Sequence, residues 1–138
     1  MDDFIITQNG KPLLESLYTI NIKNKVFSSV ENDLVLDFAD RENWMFKTGS
    51  DCTFRTGNWC TFTTHNGCTF DTRYNCTFRV GSHCTFDTGE CCMFSLWNIN
   101  SCTFKSYNGG LSIILDRMDN EAYKLTKEFV QLMKIQNG

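Results

Sequence analysis

The chain has 138 residues, with 13 Lys and Arg against 16 Asp and Glu; the formal charge of −3 leaves no polycationic footprint for nucleic acid. Its 41% hydrophobic and 14% aromatic content, with 12 Phe, can fill a core, which argues against disorder. One Pro and 9 Gly exclude collagen-like and linker-like chains, and no apolar run approaches the roughly 20 residues that cross a bilayer.

The start, Met1-Asp2-Asp3, lacks the basic charge of a secretory leader, so a soluble, cytoplasmic, single-domain protein without membrane contact is the expectation. Residues 1–34 carry no repeat and read as an N-terminal cap region. Phe4-Ile5-Ile6-Thr7 leads into Gln8-Asn9-Gly10-Lys11, which has the chemistry of a strand entering a hairpin turn. Tyr18-Thr19-Ile20-Asn21-Ile22 alternates like a second strand. Together they would cover an exposed β edge at the start of the next segment.

Residues 35–108 form a repeat. Cys52, Cys60, Cys68, Cys76, Cys84 and Cys92 recur every eight residues, and each has Phe two positions later. The blocks read DCTFRTGN, WCTFTTHN, GCTFDTRY, NCTFRVGS, HCTFDTGE and CCMFSLWN. Weaker blocks precede them at Val35 and Asn43. After two extra residues, Ile99 and Asn100, a ninth block begins at Ser101. A fixed period of this kind marks a solenoid.

Within a block, Cys-Thr-Phe-x-Thr alternates with period two and places Cys and Phe on one face of a short strand. Leu36 and Trp44 read as replacements at the Cys position, and Val80 and Leu96 replace the second Thr, so these columns point inward. The first Thr and the residue after Phe point to water. Eight residues cannot close a coil. Three strands per turn would enclose a triangle too wide to fill, whereas two facing strands about 10 Å apart suit a Phe-filled interior. The fold class is therefore mainly β: a parallel β-solenoid, a two-sheet roll with about 16 residues per coil.

Cysteine in such a column behaves as a small buried hydrophobe, and reduced thiols are the expectation. Distance alone would allow a disulfide between successive coils, although in-register side chains point the same way. The spacing supplies no zinc knuckle. Cys91 lies outside the column, at a turn, and is the thiol expected to be exposed or reactive.

Residues 109–138 read as a last strand, Leu111–Leu115, and then a helix from Asp119 or Asn120 to about Ile135. Its apolar stripe is Ala122, Leu125, Phe129, Leu132 and Met133. That helix would pack on the last coil, or form a homodimer.

No catalytic, cofactor-binding or metal-binding residues emerge. His65 and His83 fall at turns without a nucleophile beside them, and no phosphate-binding glycine motif occurs. Asp71 and Asp87 stack one coil apart beside Arg55, which reads as a surface charge ladder rather than an acid–base pair. Thr53, Thr69 and Thr85 resemble an ice-binding array, but the neighbouring charged column spoils a flat Thr lattice. Too few cations flank the other sheet for nucleic acid. The candidate interaction surface is at the turns: Trp59, Arg73, Tyr74 and Glu90 gather on one edge, with Trp97 on the opposite one.

Over residues 43–104 the Cys-Thr-Phe blocks resemble a family of octapeptide-repeat proteins of bacteriophage and prophage type. The resemblance implies a β-solenoid and carries no catalytic residues. It points to a protein that binds a host protein, such as an inhibitor of a host factor or defence system, in the host cytoplasm. The alternative is a virion structural or adhesion component.

Overall fold

The computed structural model describes residues 4–106, 112–126 and 131–134. Successive short strands alternate between two sheets. One has seven strands: β1 (Ile5–Gln8), β2 (Lys11–Pro12), β5 (Leu34–Asp37), β7 (Thr53–Arg55), β9 (Thr69–Asp71), β11 (Thr85–Asp87) and β13 (Thr103–Ser106). The other has nine: β3 (Thr19–Asn21), β4 (Val26–Ser28), β6 (Met45–Lys47), β8 (Thr61–Thr63), β10 (Thr77–Arg79), β12 (Met93–Leu96), β14 (Ser112–Asp116), β15 (Glu121–Thr126) and β16 (Gln131–Lys134). From β4 to β14 every neighbouring pair within a sheet is parallel, and Phe54, Phe70 and Phe86 lie in register, as do Phe46, Phe62, Phe78 and Phe94. One coil is thus 16 residues, two blocks, as the sequence predicts.

The Phe rings make this register favourable. Within a sheet they stack nearly parallel, with centroids 5.1 Å apart at 5° for Phe54–Phe70 and 5.0 Å at 5° for Phe62–Phe78. Strands sit about 4.8 Å apart, more than the ~3.5–4.0 Å of touching carbons, so the rings slip into an offset stack. Across the sheets they meet edge to face, Phe54 on Phe62 at 5.1 Å and 72°, Phe70 on Phe78 at 4.9 Å and 72°. Both geometries suit the ring quadrupole. The Cys column up to Cys92 and the second Thr column flank the rings and are buried, Cys102 is half-buried, and the first Thr column and the residues after Phe face water apart from partial cover.

At the N-terminal end, β1 and β2 form the hairpin, turning at Asn9 (φ 53°) and Gly10 (φ 79°), and β1 pairs antiparallel with β5. Phe4 stacks on Phe38 at 4.3 Å and closes that end of the core.

Two sequence expectations are corrected. Leu36 is not in the Cys column: it pairs with Phe54, Leu34 precedes it at the Cys position, and Phe38 falls beside Thr56, its N–H donating to Arg55 O at 2.8 Å. The turn between Phe38 and Trp44 holds two residues more than the regular turn between Thr56 and Cys60. A slip of two residues leaves every side chain on its own face, so periodicity could not detect it.

The C-terminal helix does not form. Glu121–Thr126 pairs antiparallel with β14, and Gln131–Lys134 pairs antiparallel with β15. The open edge of β14 offers unpaired backbone groups, and satisfying them outweighs helix propensity. Asp119 and Asn120 serve a turn instead of a helix cap: Asp116 Oδ1 accepts from Asp119 N–H at 3.1 Å, and Asn120 has φ 54°. Leu125 reaches the core, Ala122 is half-buried, and Phe129 lies outside the described residues. Among the described residues there is no α-helix, so a helical dimer seam has no element to carry it, and no helix is long and apolar enough to cross a membrane.

Two substitutions test this packing. Phe70 is touched by four other rings, so Phe70→Ala is expected to cost about 3–5 kcal/mol by denaturant unfolding. Gly57 meets the preceding coil so closely that an added Cβ would lie 2.5 Å from Asp40 O and 2.9 Å from Arg41 O. Gly57→Ala is expected to cost about 1–3 kcal/mol in the same measurement, because this buried turn has no room for the added methyl group.

Candidate functional site: a turn edge with an acidic groove

Each regular turn reverses the chain in three residues, and the residue before the Cys position takes a left-handed conformation: Asn43, Asp51, Trp59, Gly67, Asn75, His83 and Cys91, with φ between 58° and 73°. Asn, Asp and Gly tolerate this conformation; a bulky side chain is strained there. Trp59 is at φ 61° and still 55% exposed. Its N–H donates to Tyr74 O at 3.2 Å, while Tyr74 N–H donates to Asn58 Oδ1 at 3.2 Å. These bonds lock two exposed aromatic residues of successive coils beside each other.

Arg73 and Glu90 occupy the same edge. Arg73 Nη2 donates to Asp40 Oδ1 at 2.9 Å, reaching across a whole coil. The crossing is possible because the intervening turn has Gly57, whose N–H donates to Arg41 O at 2.9 Å. Asp40 itself sits in the lengthened turn after Phe38. The two extra residues thus create this ion pair, and the eight-residue pattern gave no hint of it.

Between this edge and the seven-stranded sheet runs a groove of about 460 Å³. Its lining carries four carboxylates, Asp40, Asp71, Asp87 and Glu90, against the guanidinium groups of Arg55 and Arg73. Arg55 and Asp71 are in-register neighbours, yet Arg55 Nη1 turns to Asp37, 3.3 Å from both carboxylate oxygens. The Arg55 charge is thereby drawn away from Asp71, and the lining residues number two more carboxylates than guanidinium groups.

Four of the five sequence-selected residues therefore come together: Arg73, Tyr74 and Glu90 line the groove, and Trp59 adjoins Tyr74. Trp97 does not join them. It lies on the opposite edge, 48% exposed, with its N–H on Gly81 O and its carbonyl accepting from Met118 N–H at 2.9 Å. His65 and His83 occupy turns of that opposite edge, exposed to water. Among the described residues no three His, Cys, Asp or Glu side chains are grouped to hold a metal ion.

The eight thiols are free. Cys52, Cys68, Cys84 and Cys102 form one row, and Cys60, Cys76 and Cys92 form the other. Most thiols also donate to turn carbonyls of the preceding coil, as Cys76 Sγ does to Gly57 O at 3.4 Å and Cys92 Sγ to Arg73 O at 3.5 Å. Hydrogen bonding between row neighbours splits their acidities. The bond with Cys76, with burial, pushes Cys60 up; the bond with Cys52, with burial, does the same to Cys68. Cys102 and burial push Cys84 up. Cys76, pulled down by Cys60 but pushed up by Cys92 and burial, ends at about 11. Cys52 and Cys102 are pulled down to about 7 by hydrogen bonds from Cys68 and Cys84, against burial.

Comparison with models of known families, with curated proteins and with solved structures finds no match to this chain.

The buried thiols make alkaline stability a test of the rows. Cys60, Cys68, Cys76 and Cys84 keep their protons in the folded state at a pH where the unfolded chain, with thiols near 9.0, has lost them. The unfolded state then binds fewer protons, so stability falls as pH rises. Unfolding free energy is expected to decline from pH 9.0 through about 11, and Cys60→Ser, Cys76→Ser and Cys84→Ser together should flatten that decline.

Proposed function

We propose that this chain is a non-enzymatic protein of bacteriophage type that binds a host protein in the host cytoplasm, through the edge bearing Trp59, Arg73, Tyr74 and Glu90. The observation that carries the reading is Trp59. A bulky aromatic side chain in a left-handed turn, with half its surface in water, adds strain and little core packing. Asn43 and Asn75 occupy the same turn position at lower strain, so folding alone does not call for Trp there. Interfaces do, since Trp, Tyr and Arg dominate binding hot spots.

The acidic groove narrows the partner's chemistry. Asp71, from which Arg55 turns away, and Glu90 favour a partner surface with Lys or Arg projecting into the groove and an apolar patch against Trp59 and Tyr74. Such a protein would block or redirect its target by occupancy. The resemblance to phage octapeptide-repeat proteins supports a host factor or defence system as that target.

The test pairs Trp59→Asn with Tyr74→Ala, Asn being the residue that the repeat itself uses at that position. The thermal midpoint is expected to hold. Affinity for the host protein captured by the wild type should fall by about 2 kcal/mol or more, roughly thirtyfold. Unchanged affinity in the folded double variant would remove this edge from the interface, and recovery of the protein in purified virions would favour a structural role in the particle.

A further inference from the structure

The turn edge is not the only place where equivalent columns hold unequal residues. We infer that Cys102 and Cys84 form a dithiol site that exchanges with small-molecule disulfides of the glutathione class, Cys102 attacking and Cys84 resolving. The proposal is independent of the interaction edge.

It rests on register and position. β11 and β13 run parallel, with Thr85 opposite Thr103 and Phe86 opposite Phe104, so Cys84 and Cys102 are row neighbours; Thr103 N–H donates to Cys84 O at 2.9 Å. In-register Cα atoms lie about 4.8 Å apart, within the ~4.4–6.8 Å that a disulfide spans. The Cys84 thiol, whose hydrogen bonds run to His65 O at 3.7 Å and Ser82 O at 3.6 Å on the turn, is the row neighbour that pulls the Cys102 thiol down. Cys102 immediately precedes β13, the last described strand of its sheet, and is half-buried, while the six other thiols of the two rows are fully buried. Cys52 is a built-in control. It is also pulled down to about 7 by its row neighbour, yet it is 0% exposed and closed to any reagent.

The steps balance. The Cys102 thiolate attacks one sulfur of the small disulfide, forming a mixed disulfide and releasing one small thiolate, which takes a proton from water. Capping removes the negative sulfur that held the Cys84 proton in place, so Cys84 loses that proton to solvent. The Cys84 thiolate then attacks Cys102 Sγ, forming the Cys84–Cys102 bond and expelling the second small thiolate, which is protonated in turn. Two protein thiols are oxidised and one small disulfide is reduced to two thiols. A partly exposed thiolate beside a resolving thiol is what such exchange requires.

The test uses the full-length folded protein and glutathione disulfide near neutral pH, then blocking with iodoacetamide and peptide mass spectrometry. Trypsin cannot separate the thiols, since no Lys or Arg lies between Arg79 and Lys105; chymotrypsin, cutting after Phe86, Phe94 and Phe104, can. The wild type is expected to give a linked Cys84–Cys102 peptide. Cys84→Ser should stop at glutathione on Cys102, and Cys102→Ser should lose both products. In a parallel reaction iodoacetamide should label Cys102 at least tenfold faster than Cys52. The labelling midpoint of Cys102, about 7 in the wild type, should move toward the ordinary 9.0 in Cys84→Ala. The proposal fails if Cys102 labels no faster than Cys52, or if the wild type keeps glutathione on Cys102 without forming the link. The wild-type outcomes decide the matter even if a Cys84 variant does not fold.

Discussion

The structure depends on a match between two spacings. Parallel strands repeat about every 4.8 Å, and offset aromatic rings accept that repeat: successive Phe residues in each sheet stack at 5.0–5.2 Å within 4–7° of parallel from Phe46 to Phe94. Because the facing column meets these rings edge-on, each sheet holds the other in place. A branched aliphatic column could fill the same volume, but it would lack this edge-to-face interlock. The register of the whole coil follows from the rings.

The turns are set by the register. Three residues must reverse the chain and return it to the same column, and the left-handed residue before each Cys from Cys52 to Cys92 achieves this. The thiol that comes next answers a second need. A turn this tight points carbonyl oxygens toward the core rim, and Sγ atoms donate to them, as Cys60 does to Arg41 O at 3.5 Å and Cys68 to Gly49 O at 3.6 Å. Cysteine is small enough to sit beside the rings and polar enough to satisfy a carbonyl weakly. Valine would fit the space and leave the carbonyl without its donor. The glycines have a different origin: Gly49, Gly57, Gly81 and Gly89 lie against the preceding coil, where a Cβ would collide.

This division explains what could be read from the sequence. Column membership from Trp44 to Phe104 was legible because a period-two face and an eight-residue period are both strictly enforced by packing. Leu36 and Phe38 were misassigned because a two-residue slip preserves faces, and only a three-dimensional count of the turn reveals it. The C-terminal segment carried a helical apolar spacing and turn residues that serve either a cap or a hairpin. What decided between them was the vacant edge of β14, a tertiary fact. The same lengthened turn that hid the slip places Asp40 within reach of Arg73, so the charge pattern of the groove was equally hidden. Trp59, Tyr74 and Glu90 could be found beforehand because turn positions are the part of the repeat that packing leaves free.

In a solenoid, residues that obey the column serve the fold, and information about anything else must lie where the column is broken. Breaks occur in two ways here. Some are breaks of residue type within an equivalent position, such as Trp59 where Asn43 and Asn75 would serve. Others are breaks of environment for an equivalent residue, such as Cys102, which shares its column with Cys52 but has no described strand beyond it. The N-terminal end is closed by Phe4 on Phe38 and by Leu34 at the Cys position beside Cys52, so a lowered thiol there is chemically silent. At the other end the same hydrogen-bonded pair meets water. Identical local chemistry becomes reactive or inert according to whether the stack continues past it, which makes the end of a repeat a functional position in its own right.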